Sequence, residues 1–156
     1  MSLALRQYKA SGKELTGSWA IADFLEQKYI RQAKKQQNED GSFSANYFSG
    51  PGDGETWKDQ LPGSGHIFEW LMLVLPQEEL SQEWVLKGAR SVAGNILEAE
   101  LRDSDVENYL LMATRDTPDE VNELLLSDYT ILGAYFHAVH GLRMFQERIA
   151  HPEKQP

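Results

Sequence analysis

The 156-residue sequence predicts an all-α protein assembled from helical hairpin repeats. Apolar residues recur three and four positions apart through almost every segment, the period of a helix with one buried face. Clusters of Gly, Pro, Ser, Asn and Asp separate those segments. Two segments also share one plan. Glu14-Leu15-Thr16 and Glu79-Leu80-Ser81 each lead into a helix, and Leu15 and Leu80, like Trp19 and Trp84, stand 65 residues apart. A fixed offset of this kind marks a structural repeat.

The elements follow in order, within a single domain over 1–150. The first hairpin, 1–37, has Leu5 and Tyr8 on a short helix that ends at Ser11-Gly12, then a long helix over 17–36. Trp19, Ala22, Phe24, Leu25, Tyr29 and Ile30 form its apolar face, and Lys34 and Lys35 suit the negative end of its dipole. Residues 38–65 read as a long loop, being rich in Gly, Ser, Asp and Pro with Phe43, Tyr47, Phe48 and Trp57 interspersed. The second hairpin, 66–100, starts with the segment from His66 to Leu75, apolar nearly all round as a helix and ended by Pro76. It continues in a helix capped by Ser81, with Trp84, Val85, Ala89, Val92 and Ile96 inward. Residues 101–127 hold a linker and a short helix with a capping box at Thr117-Pro118-Asp119-Glu120. The final helix, 128–149, points Leu132, Phe136, Val139, Leu142, Met144, Phe145 and Ile149 inward, and 151–156 form a polar tail.

Composition narrows the function. Fifteen basic against 24 acidic residues give a net charge of −9, which repels phosphate backbones and anionic lipid, so neither nucleic acid nor membrane is an expected partner. With no cysteine, thiol nucleophiles and thiolate metal sites are excluded. There is no secretory leader pattern and no apolar run long enough to span a bilayer, which predicts a cytoplasmic protein.

Candidate chemistry is sparse. His66 and Glu69 lie three apart on one helix face, where a carboxylate can orient an imidazole for acid or base work; the competing reading is a pair of local hydrogen bonds. His137 and His140 have the same spacing, but with Glu147 they match none of the usual helical metal-ligand patterns, and no metal or other cofactor is predicted. Tyr47, Phe48, Trp57 and Trp70 are candidates for stacking on a sugar or another flat apolar ligand, or else cover the hairpin ends. The Gly-rich stretches around Gly52 and Gly63 lack the Lys-Ser/Thr of a phosphate cradle.

The pattern Leu5-x-x-Tyr8-x-x-Ser11-Gly12-x-x-Leu15, a long helix, and then Gln37-x-x-x-Gly41-x-Phe43 resembles the hairpin of the α/α-toroid superfamily. Its members include terpene cyclases, protein prenyltransferases and six-hairpin sugar epimerases and hydrolases. Gln37, Gly41 and Phe43 resemble one copy of the cyclases' repeated motif, with Phe where Trp is usual. That resemblance implies that Gln37 ties helix ends together while Phe43 stacks beneath the turn. It also implies that His66 to Trp70 and Phe136 to Arg143 belong to inner helices. The cyclases' Asp-x-Asp-Asp acid motif is absent, with only Asp103-Ser104-Asp105-Val106-Glu107 as a partial echo, and the prenyltransferases' zinc-binding Cys is missing.

A closed toroid needs roughly twice this length, and the chain holds about two and a half hairpin units. A partial toroid arc or a compact helical bundle is therefore expected, with apolar ends that predict self-association or a missing N-terminal half. The resulting expectation is a helical-repeat binding or scaffold domain without a complete catalytic set, with a carbohydrate or apolar small molecule as ligand. The alternative is a fragment of a toroid enzyme acting on a carbohydrate or isoprenoid, in which His66, Glu69 and His137 line the inner surface and Asp40 stands near its mouth.

Overall fold

The computed structural model describes residues 2–44, 56–99 and 123–152. Among them are five α-helices and no strand: α1 (Ser2–Ala10), α2 (Gly17–Gln36), α3 (Trp57–Val74), α4 (Glu83–Glu98) and α5 (Glu123–Ala150), with a 3-10 turn at Gln77–Glu79. The all-α class is as the periodicity predicts, and α1 and α2 fall where the sequence puts them. Thr117 to Glu120, Tyr47 and Phe48 lie outside the described residues.

The largest departure is α3. It begins at Trp57, so residues 57–65, read from sequence as loop, are helical. Thr56 and Asp59 form a capping box, the Asp59 carboxylate accepting from the Thr56 backbone N–H at 2.9 Å, which satisfies donors that a helix start otherwise leaves orphaned. The Pro and Gly signals that suggested a loop instead mark close contacts. Gly63 lies directly under the Ser44 carbonyl, where any Cβ would collide with backbone. Ser64 Oγ accepts from the Phe43 N–H at 2.9 Å. Tertiary contact thus outweighs local propensity here.

Helix α3 is the centre of the molecule. Leu61, Phe68, Leu71 and Met72 have no solvent-exposed surface, and full burial of such side chains contributes about 1.5–3 kcal/mol each. They pack with Phe43, Leu80, Trp84, Val85 and Val92 on one side and with Ala134 and Ala138 of α5 on the other.

The α3–α5 seam is built from small residues. A Cβ on Gly65 would lie 2.7 Å from the Ala134 carbonyl oxygen, and one on Gly141 would lie 3.0 Å from the Glu69 backbone nitrogen. This is why the sequence misplaces part of the α5 inner face. Ala134, Ala138 and Gly141 sit in the seam, whereas Phe136, Val139 and Ile149, expected inward, are 40–48% exposed. Helix α2 shows the same shift: Ala22, Glu26, Ile30 and Ala33 are buried while Ile21 and Phe24 are each 62% exposed.

Helix ends are tied by long polar side chains. At the C-terminus of α3, Arg148 donates to the Met72 and Leu75 carbonyls at 2.7 and 2.8 Å, and Arg6 donates to the same Leu75 carbonyl at 2.6 Å. These guanidiniums meet the unpaired carbonyls and the negative end of the helix dipole together. Burial pushes the Arg148 pKa down, with the Arg6 charge adding to it, yet a guanidinium stays charged at any ordinary pH. Gln37 Nε2 donates to the carbonyls of Gly41 and Trp84, both at 2.9 Å, joining the end of α2 to the start of α4. Phe43, 2% exposed, lies beneath the turn against Gly88. Gly41 needs its φ of +90° because the turn passes against the Lys87 backbone. Ser81 does not cap α4 as predicted; the cap residue is Gln82, and the Ser81 hydroxyl faces the Glu78 carbonyl at 3.5 Å. The repeated Leu and Trp positions have unequal surroundings: Leu80 and Trp84 are buried, whereas Trp19 stacks on Tyr8 with ring centres 4.4 Å apart.

Two glycine substitutions separate packing from propensity. Gly65→Val is expected to lower unfolding free energy by about 1–3 kcal/mol through overpacking of the seam. Gly94→Ala, whose Cβ would meet nothing within 4 Å, is expected to raise it by about 0.5–1 kcal/mol through helix propensity. Urea unfolding followed by circular dichroism measures both; equal effects of the two substitutions contradict the close-packed seam. Arg148→Leu is expected to cost about 1–3 kcal/mol by leaving the Met72 carbonyl without its donor, Leu75 keeping Arg6, and the same unfolding curves test it.

Candidate functional site

The approach of α5 to α3 at Gly65 and Gly141 brings Glu69 beside two turns of α5. Three of the four sequence-derived catalytic candidates meet there, together with His140. Glu69 Oε2 lies 2.6 Å from His137 Nδ1, and Glu69 Oε1 lies 2.5 Å from His140 Nδ1. Each carboxylate oxygen therefore holds one imidazole. The Glu69 side chain is 18% exposed, against 45% for His137 and 59% for His140. An inner carboxylate is thus overlaid by two outer rings.

His66 joins through its ring, which lies 4.2 Å centre to centre from that of His137 at an interplanar angle of 35°. Its Nδ1 is 2.7 Å from the Pro62 carbonyl. A carbonyl only accepts, so the His66 Nδ1 donates. Sequence spacing paired Glu69 with His66 on the same helix; the structure gives Glu69 to α5 instead, and this long-range pairing is invisible to helical spacing.

Asp40, the fourth candidate, belongs to another feature. Its carboxylate accepts from the Ser42 N–H at 2.8 Å and from the Ser42 hydroxyl at 2.7 Å, with Gln60 Nε2 at 3.4 Å. It closes the turn after α2 and organises the Gly41–Phe43 segment, an Asx turn. Of the aromatic ligand candidates, Trp57 and Trp70 are partly buried against the core, and Phe43 is within it. They are packing residues first. The exposed aromatic beside the histidines is Phe136, which the sequence placed inward. Glu147 pairs with Arg143 at 2.9 Å. Among the described residues no three His, Asp or Glu side chains are placed to hold a metal ion.

The carboxylate at the centre feels opposing influences. Burial raises the Glu69 pKa, but hydrogen bonds from His140 and His137, with the charges those rings carry when protonated, outweigh it and hold the carboxyl below its ordinary range. Chemically, a carboxylate that accepts from Nδ1 of a neutral imidazole sets its tautomer and leaves the lone pair on Nε2. The residues present no thiol, and the Gly-rich α3 start serves packing rather than a phosphate cradle. No helix among the described residues is long and apolar enough to cross a membrane. Compared with known proteins, the chain matches no family model, no curated protein and no solved structure.

The depressed Glu69 pKa fixes the sign of a pH effect. A carboxyl with a lower pKa in the folded than in the unfolded state contributes stability above the unfolded value, about 4.3, and loses it as pH falls through the folded value. Glu69→Gln is thus expected to destabilise the protein at pH 7, with the difference from wild type shrinking progressively below about pH 4.3. Urea unfolding of both proteins from pH 7 to 3 measures it, and a difference independent of pH contradicts the pairing.

Proposed function

We propose that this chain is a helical-hairpin binding domain of the α/α-toroid kind, contacting its ligand through the face of α3 and α5 that carries His66, Glu69, His137 and His140. The observation that carries this reading is the shared Glu69 carboxylate beneath two half-exposed imidazoles. Packing α3 on α5 needs only small and apolar residues, so a carboxylate held by two half-exposed imidazoles at the edge of that seam is not required by the packing itself. The Gln37 bridge between α2 and α4, with Phe43 beneath it, supports the toroid kinship. A net charge of −9 favours a ligand other than nucleic acid. Amide chemical shifts of the labelled chain, followed while mono- and oligosaccharides and apolar ring compounds are added, test the reading. Shifts clustered around residues 66–69 and 136–140 are expected; a panel that moves no resonance overturns it.

The Glu69–His137 contact at 2.6 Å supports a second reading, an acid–base site in part of an enzyme acting on a carbohydrate or isoprenoid. Here His137 would exchange the proton and Glu69 would position it. Turnover of such a substrate that is abolished by His137→Gln, with the unfolding curve unchanged, favours the enzyme over the binding domain.

The exposed Ile21 and Phe24 on α2 support self-association or a further hairpin unit packed on that face. Sedimentation equilibrium tests the first: a concentration-dependent rise in mass is expected, reduced by Phe24→Ser, and a monomer at high concentration contradicts it.

A further inference from the structure

We infer that the α5 face around His137 and His140 is a subsite for an uncharged, hydroxyl-rich ligand, whose hydroxyls donate to the two imidazole Nε2 atoms while its apolar side lies on Phe136. This deepens the binding-domain reading and rests on it. The first step concerns tautomers. An ionised carboxylate has acceptors only, so both Nδ1 atoms held by Glu69 at 2.6 and 2.5 Å carry the hydrogen. In a neutral imidazole the lone pair then lies on Nε2. With the rings neutral, one carboxylate thus gives two acceptors of fixed orientation, directed away from Glu69 and borne on rings 45% and 59% exposed.

The second step concerns what surrounds those acceptors. Phe136 lies four residues before His140, so the two side chains neighbour each other on one face of α5. Phe136 is 40% exposed. An exposed aromatic next to fixed hydrogen-bond acceptors suits a molecule with a C–H face and a hydroxyl edge, as in a sugar ring or cyclic polyol. Charge disfavours the obvious rival. An anion would meet the Glu69 carboxylate, and Arg143, three residues after His140, pairs with Glu147 at 2.9 Å.

The test reads the nitrogen atoms themselves. In the full-length chain labelled with nitrogen-15, long-range proton–nitrogen spectra report the tautomer of each imidazole. These are recorded at pH 7.5 alone and with a set of methyl hexopyranosides and cyclic polyols, with their fully O-methylated counterparts, and with inorganic phosphate. His137 and His140 are expected as Nδ1–H tautomers, and the hydroxylated probes are expected to shift their Nε2 signals. The O-methylated forms, having no hydroxyl to donate, should bind at least tenfold more weakly, and phosphate should leave both signals unmoved. Glu69→Gln is expected to release the tautomers and weaken binding. Phe136→Ala, at an exposed position, is expected to weaken binding at least fivefold while the tautomers stay as they are. Rings in the Nε2–H form, equal binding of the O-methylated probes, or a response to phosphate alone overturns the subsite. Amide shifts elsewhere with both Nε2 signals unmoved also overturn it but leave the binding domain standing, whereas no shift anywhere with any probe removes both.

Discussion

Everything distinctive in this protein depends on how closely α5 lies against α3. Gly65 and Gly141 remove the side chains that would hold the helices apart, and Ala134 and Ala138 fill the remaining space without enlarging it. Close backbone approach maximises dispersion contacts along the seam. It also sets the reach of Glu69, whose short side chain meets both His137 and His140 only because the two helix surfaces are so near. Structural economy and the candidate site are therefore one constraint. A larger residue in the seam would weaken the core and part the carboxylate from its imidazoles together.

The ends of α3 are secured by different means. Its start is closed locally by Thr56 and Asp59. Its end is closed by Arg6 from α1 and Arg148 from α5, reaching carbonyls far away in sequence. The two arginines couple the first and last helices to the central one, at the cost of placing like charges near each other in a partly buried setting. Gln37 does for α2 and α4 what the arginines do for α3. Between them, three polar side chains tie the helix ends together, while the apolar core supplies most of the stabilisation.

Much of the fold was legible. Helix α2 shows its bounds because its apolar period, its positive last turn and the flanking turn residues agree. Gln37, Gly41 and Phe43 were legible as a tie and an aromatic beneath a turn, through resemblance rather than periodicity. The start of α3 was not, because Pro62, Gly63, Ser64 and Gly65 carry the composition of a loop while serving as a contact surface. The site was legible in its residues and not in its pairing: His66, Glu69 and His137 stand out as polar groups on apolar helices, but nothing in the chain says that Glu69 reaches α5. His140 was seen only as half of a metal pattern that fails on spacing. Asp40 closes an Asx turn, and an acidic residue in a turn has the same sequence signature whether or not it faces a ligand.

The sequence by itself determined the helical class, the absence of thiol side chains and the net negative charge, since each follows from local periodicity or from composition. Only the tertiary structure decided which faces are inward and which polar residues meet. Periodicity ranks side chains by hydrophobicity and so sends Phe136, Val139 and Phe24 to the core. The folded chain selects for fit, and where two helices must nearly touch, glycine and alanine take the seam while larger apolar residues are left outside. The shared carboxylate is a product of that selection, which no single helix encodes.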